Sequence, residues 1–239
     1  GLLELSTLFE NQKPDIVLTV ADRYETLATA IAASYMNIPL AHTQGGETTG
    51  SIDNSVRNAI TKLSHIHLVT NSQCARRVKN MGEDEKRIFI TGCPSIDLAK
   101  DVGARPDRYL KKYVQKHKQQ RLPDTDSTFL LVIQHPVTTE YGSSASQIRE
   151  TMEALRELAI PAIVCYPNVD AGSYDMVREI QHLGVESLPY LYFYRNVPPE
   201  VFLALLRKCS CIVGNSSVGI RESSFYGTPS VTIGSRQKT

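Results

Sequence analysis

The chain has 239 residues, with 26 Lys and Arg against 25 Asp and Glu, for a formal net charge of +1. Its 41% hydrophobic and 21% charged residues suit a globular protein, and near-neutrality gives no argument for nucleic acid or an anionic membrane, so neither is expected as a partner. No apolar run reaches the roughly 20 residues of a membrane helix and no signal peptide is recognisable, so the reading is cytoplasmic, with no membrane partner.

The helical spacing of residues 2–11 stops at Lys13-Pro14-Asp15. Residues 16–20, IVLTV, form a continuous β-branched run of the kind buried in a parallel sheet. An Ala-rich helix over 26–36 and a strand over 38–42 follow, so strand, helix and strand join by short loops. That order implies a right-handed parallel crossover and an α/β sheet. Asp22 and Arg23 then lie just past a strand's carboxyl end, where ligands bind in such sheets. An Asp at that place also serves as an ordinary helix cap.

Residues 43–50, TQGGETTG, are too glycine-rich for regular structure and again follow a strand. Ser51 or Asp53 is positioned to cap a helix over 56–64. His65 and His67 sit in a strand at 65–70 and share one face, a spacing open to metal binding but without a third ligand, so no metal site is assigned. A helix over 71–81 and a short strand at 88–90 complete a first unit, residues 1–100.

From 97 to 126 the composition turns highly charged and ends in the turn cluster Pro123-Asp124-Thr125-Asp126, so 101–126 reads as a linker region containing a solvated helix. A second unit, 127–239, restarts with strand 129–133 and the polar stretch QHPVTTE, then a loop over 141–146 and a helix over 147–158. Strands at 161–166, 191–194, 210–213 and 231–234 alternate with helices over 176–183, 199–208 and 220–226. The series reads as an excerpt, with sheet pieces missing at both ends and an unpaired edge as the result. The five cysteines form no CxxC pair and sit among apolar neighbours, as reduced buried thiols do.

Residues 211–228, CIVGNSSVGIRESSFYGT, carry the most chemistry. A strand feeds a small, hydroxyl-rich turn that opens a helix, leaving N–H groups to face an anion. Glu222, one turn in, is placed to reach a ribose hydroxyl, although the same pattern also describes a plain strand–turn–helix corner. Four polar loops follow strand ends: Asp22-Arg23, 44–53, 135–140 and 215–222. They combine carboxylates (Asp22, Glu47, Asp53), an imidazole (His135) and a guanidinium (Arg23) with a phosphate turn, an acid/base set for proton abstraction beside a phosphate or for glycosyl transfer. No Walker A sequence or GxGxxG is present, which argues against phosphoryl and hydride transfer, and no cofactor is implied.

The segments HTQGGETTGSIDNSVRNAITKLSHIHLV, TGCPSID, QHPVTTE, YPNVDAGS and GNSSVGIRESSFYGTP together resemble the hydrolysing UDP-N-acetylglucosamine 2-epimerases, of the bacterial sialic-acid-pathway type and the epimerase half of the bifunctional animal enzyme. The resemblance runs over almost the whole chain. It implies two Rossmann-like units of glycosyltransferase-B-like fold, a UDP-sugar substrate in the cleft, and a homo-oligomer, dimer or tetramer. It also implies anti elimination of UDP to 2-acetamidoglucal, then water addition giving N-acetylmannosamine. Asp22, Asp53 and His135 match the family's catalytic positions, with Gln44 and Glu47 in the same set. Arg23, Asn168, Asn215, Ser216, Ser217, Gly219, Glu222 and Arg236 match its substrate-binding set, Glu222 as the ribose acid. Many relatives have Glu where this chain has Gln44, and an amide is no general acid or base. Either Asp53 or Glu47 carries that step, Gln44 only positions substrate, or the chain is impaired. Arg178 matches one basic residue of the animal enzyme's feedback site but Gln181 stands at another, so sialic-acid feedback is not expected. The family's N-terminal segment, with a first strand, a Gly-rich turn and a phosphate-contacting arginine, has no counterpart here. A UDP-diacetamido-sugar epimerase of legionaminic-acid type, a glycosyltransferase of the same fold and a non-catalytic UDP-sugar-binding protein are the rival readings.

Overall fold

The computed structural model describes residues 1–49, 52–117, 121–137, 140 and 142–237. Ser51, Lys118–Gln120 of the basic run, and Thr138, Thr139 and Tyr141 after the fifth strand lie outside the described residues. The chain divides into two compact units, Gly1–Cys93 and Pro94 onward. No helix among the described residues is long and apolar enough to cross a membrane.

In the first unit, strands β1 (Val17–Val20), β2 (Leu40–Thr43), β3 (Ile66–Val69) and β4 (Ile88–Ile90) lie parallel in that order. Helices α1 (Leu2–Gln12), α2 (Tyr24–Tyr35), α3 (Ile52–Leu63) and α4 (Ser72–Asn80) intervene. Val17 pairs with Leu40 and Val20 with Thr43, so the carboxyl ends of β1 and β2 finish level and deliver Ala21 and Gln44 side by side. Phe9, Ala30, Ala33, Leu40 and Ile60 pack as one buried cluster. The alanines let α2 approach the sheet closely, and each fully buried Leu or Ile contributes about 1.5–3 kcal/mol. The Asn71 side chain caps α4 by accepting from the Cys74 N–H at 3.0 Å. The edge strand β1 leaves Leu18 and Val20 half exposed.

The second unit holds five parallel strands: β5 (Leu130–Ile133), β6 (Ala162–Cys165), β7 (Leu191–Tyr194), β8 (Cys211–Gly214) and β9 (Ser230–Thr232), in the order β7-β6-β5-β8-β9. Alternate residues of β5 and β6 point to opposite faces. Leu131 and Ile163 meet α5 (Pro94–Gly103), α6 (Pro106–Lys116) and α9 (Pro199–Lys208), while Val132 and Val164 meet α7 (Ser144–Leu158) and α8 (Ser173–His182). A five-residue helix α10 (Glu222–Tyr226) completes the described helices. The chain leaves β5 toward β6 on one side and reaches β8 on the other, so β5 and β8 flank a topological switch point, where open α/β sheets form their ligand crevice.

The structure departs from the expected linker over 101–126. Ala99 and Val102 of α5, and Leu110 and Tyr113 of α6, are buried in the second unit's core, and α5 begins that unit at Pro94. The charges that suggested a linker, Lys111, Lys112 and Lys116, lie on the exposed face of an amphipathic helix. Helix ends also shift: α3 begins at Ile52 rather than 56, and α7 at Ser144 rather than 147.

Candidate active site

In the first unit the β1 strand ends in a strained turn, with Ala21 at φ 61°. His42 of β2 holds that turn. Its Nε2 lies 2.8 Å from the Ala21 carbonyl and its Nδ1 3.2 Å from the Thr61 hydroxyl. Since the carbonyl can only accept, Nε2 carries the proton and Nδ1 accepts from Thr61. The imidazole is fully buried and neutral, and burial pushes its pKa down to about 4.

This sets a pH dependence. The unfolded chain takes up the His42 proton near pH 6.5, whereas the folded chain refuses it until about 4. The stabilisation is therefore complete above pH 6.5 and lost as pH falls through that window, by about 3 kcal/mol at its lower end. Burial also lowers His67, against the opposing pull of the Glu83 carboxylate 3.2 Å away, so its effect has the same sign. Urea unfolding of the wild type should show a midpoint that drops between pH 7 and 4.5, and His42→Gln should flatten the drop. A midpoint equal at both pH values would contradict a buried neutral His42.

Asp22 pairs with the guanidinium of Arg57, which α3 brings to the same strand ends. Arg57 is 2% exposed and also donates through Nη1 to the Glu47 carbonyl at 2.8 Å, while its Nε finds no partner among the described residues. One buried cation thus fixes both Asp22 and the Glu47 segment. Asp53 lies one turn earlier on the same helix, partly buried. Arg57 was missed in the sequence because it reads as one more polar residue of an amphipathic helix. Gln44 is buried at φ 61°, with its amide donating to the Cys93 sulfur at 3.5 Å. Gly46 lies so close to the Cys74 carbonyl that a Cβ would collide with it. Arg23 forms a 3.6 Å ion pair with Glu25. His65 is exposed and accepts from the Leu40 N–H through Nδ1 at 3.2 Å, whereas His67 is buried beside Glu83, so the two share no ligand position. Among the described residues no three His, Cys, Asp or Glu are grouped to hold a metal ion.

In the second unit the switch point is closed by Asn215, 2% exposed. Its Oδ1 accepts from the His135 N–H and its Nδ2 donates to the His135 carbonyl, both at 2.7 Å. Its own carbonyl accepts from Gln237 at 3.1 Å and from Arg236 at 3.4 Å. Ser216 caps a 3-10 turn over Ser217–Gly219, and the Ser217 hydroxyl accepts from Arg221 at 3.2 Å. The turn corrects one expectation. The Gly219 N–H is turned inward to the Ser216 carbonyl at 3.1 Å, while the N–H groups of Ser216 and Ser217 donate to no backbone carbonyl among the described residues. The turn's N–H groups without a backbone acceptor among the described residues are therefore these two, and a five-residue α10 adds little dipole of its own.

Beside this turn opens a cavity of about 400 Å³, lined by Tyr166, Tyr194, Arg195, Asn196, Phe202 and Glu222 among others. Glu222 is 4% exposed, and its Oε2 has no hydrogen-bond partner among the described residues. A buried carboxylate oxygen without a donor is costly unless a ligand supplies one. The Arg195 guanidinium lies 5.0 Å over the Tyr166 ring. Burial pushes the Cys165 thiol in this wall up to about 12, so it stays protonated and unreactive. Asn168 donates to Asp170 at 2.6 Å, and its own Oδ1 is buried without a partner among the described residues. The loop Arg195–Val197 carries no distinctive motif in the sequence, although it follows β7 just as the other polar loops follow their strands. The aromatic walls were indistinguishable from core.

A family model described as UDP-N-acetylglucosamine 2-epimerase matches residues 1–239. A UDP-N-acetylglucosamine 2-epimerase of Neisseria meningitidis serogroup B is 36% identical over 98% of this chain and 59% of its own length. A UDP-N,N'-diacetylbacillosamine 2-epimerase (hydrolyzing) of Legionella pneumophila is 36% identical over 99% of this chain and 60% of its own length. The chain thus spans about 60% of the length of these curated relatives. Among solved structures, the Methanocaldococcus jannaschii UDP-GlcNAc 2-epimerase in complex with UDP-GlcNAc and UDP aligns with a TM-score of 0.76 at 16% identity, covering 99% of this chain and 64% of that one. The likeness bears out an α/β fold with two Rossmann-like units of glycosyltransferase-B-like type.

Proposed function

The chain belongs to the UDP-N-acetylglucosamine 2-epimerase family, and on that footing we propose that the full protein is a hydrolysing epimerase that converts UDP-N-acetylglucosamine and water into UDP and N-acetylmannosamine. The observation that carries the substrate class is the Glu222 carboxylate, buried with one oxygen unpartnered among the described residues, at a cavity of about 400 Å³ beside a turn whose Ser216 and Ser217 N–H groups meet no backbone carbonyl among the described residues. The cavity suits a nucleoside, with aromatic walls for the base and Glu222 for a ribose hydroxyl. The turn suits the diphosphate, with N–H groups that stabilise the charge developing on the leaving group.

In this reading a base removes the weakly acidic C2 proton while the C1–O bond to UDP breaks, leaving 2-acetamidoglucal. Water then adds at C1 and a proton returns at C2 from the opposite face. Asp22, Asp53 and Glu47 are the candidate acid and base groups, and His135 is the candidate beside the diphosphate turn. Gln44, bonded to Cys93, has the role of holding its loop rather than moving a proton. Arg23, Asn168 and Arg236 complete the proposed substrate contacts, and a homo-oligomer in the cytoplasm belongs to the same reading.

Incubation in deuterated water should give UDP and a product carrying deuterium at C2. Product without that deuterium would rule out elimination. Glu222→Gln should raise KM about 10-fold or more while kcat changes little, because a bond to a remote hydroxyl is made in ground and transition states alike. A second reading has its own support, since relatives named for UDP-N,N'-diacetylbacillosamine are as similar as those named for UDP-N-acetylglucosamine. Turnover of each sugar in parallel decides between them.

A further inference from the structure

His135 and Asn215 are 80 residues apart, yet the Asn215 amide grips the His135 backbone at both its N–H and its carbonyl with two bonds of 2.7 Å. The grip depends on the strands beneath it. Ile133 and Gly214 are register partners at the ends of β5 and β8, and the Asn215 N–H donates to the Ile133 carbonyl at 3.2 Å. The residue that holds His135 is thus the residue from which the turn Ser216–Gly219 springs. A second contact fixes the imidazole itself. The Asn168 backbone N–H, which can only donate, meets His135 Nδ1 at 3.3 Å. Nδ1 is therefore the acceptor, which places the ring proton on Nε2.

We propose that Asn215 is a positioning residue that locks His135 to the anion-binding turn, and that Asn168 sets its tautomer, so that His135 presents Nε2–H as a donor rather than a lone pair as a base. The proposal rests on the epimerase reading for what the donor serves, namely the departing diphosphate. It assigns proton abstraction at C2 to a carboxylate. The Asn215 side chain then acts on His135, and the substrate feels it only at second hand.

The test begins with the wild type, as the full protein. Nitrogen-15 NMR of the histidine rings should show His135 with a protonated Nε2 and an unprotonated Nδ1 at neutral pH, and a protonated Nδ1 would overturn the tautomer assignment. Asn215→Ala and Asn215→Asp, checked for folding by circular dichroism, should each lower kcat about 10- to 100-fold with KM and UDP affinity within about threefold, an effect of the size that misplacing a reacting group produces. Both should also blur the His135 tautomer signal. A kcat within twofold of wild type in a folded variant, or a loss confined to KM and UDP affinity, would overturn positioning and make Asn215 a plain structural or substrate contact. Those outcomes are distinct from failure of the epimerase reading, in which wild type releases no UDP from either sugar while the tautomer measurement still tests the lock.

Discussion

Asp22→Asn is expected to lower the rate of UDP release by about a hundredfold to ten-thousandfold, the span that a positioned acid or base contributes. Asp22 stands at the carboxyl end of β1 and its carboxylate is held by Arg57, whose side chain is 3% exposed. An amide in its place keeps the shape but cannot take a proton. It also leaves the Arg57 charge without its partner, and removing one member of a buried pair costs about 3–5 kcal/mol. Asp22 is 17% exposed, so the lower end of that range is the expectation. Because the substitution acts on both stability and turnover, Asp22→Asn combined with Arg57→Met separates them. The double variant should recover part of the unfolding midpoint, less the lost bond from Arg57 to the Glu47 carbonyl, and stay slow. Full turnover in a folded Asp22→Asn protein would reduce Asp22 to a structural partner of Arg57.

Gly214→Ala is expected to destabilise the second unit by about 3 kcal/mol or more, from a backbone conformation reserved for glycine together with a steric collision. Gly214 has φ 145°, and a Cβ there would run into the Ile133 carbonyl of the neighbouring strand. That carbonyl already accepts the Asn215 N–H, so it cannot move aside without loosening the turn. Thermal unfolding should show a Tm lower by roughly 10 °C. Gly227→Ala is the matched control: its φ of 71° is also left-handed, but nothing lies within 4 Å of an added Cβ, so only about 1 kcal/mol is expected. Equal losses at the two positions would remove the collision from the account.

The strand and helix order was legible in the sequence, and so was the presence of chemistry after the strand ends. Continuous β-branched runs such as 16–20 and 129–133 carry the parallel-strand signal along a single stretch of chain. The polar residues behind them are conspicuous because a buried sheet tolerates them only at its ends. The loop after β7 escaped because its partners, Tyr166 and Phe202, come from other elements and look like core when read locally. The supposed linker failed for a related reason: the charges of α6 describe its outer face, and burial of Leu110 and Tyr113 depends on α9, about 90 residues away.

By itself, then, the sequence determined the α/β class, the two-unit order, the family and the loops that bear reactive side chains, because each is written in local periodicity or in contiguous motifs. Only the tertiary structure decided how those side chains are held. Arg57 restrains Asp22 across 35 residues, Asn215 grips His135 across 80, and the Ser216 carbonyl takes the Gly219 N–H while those of Ser216 and Ser217 meet no backbone carbonyl among the described residues. These are matters of direction and distance between segments, set by strand register and close packing, and no spacing along the chain encodes them.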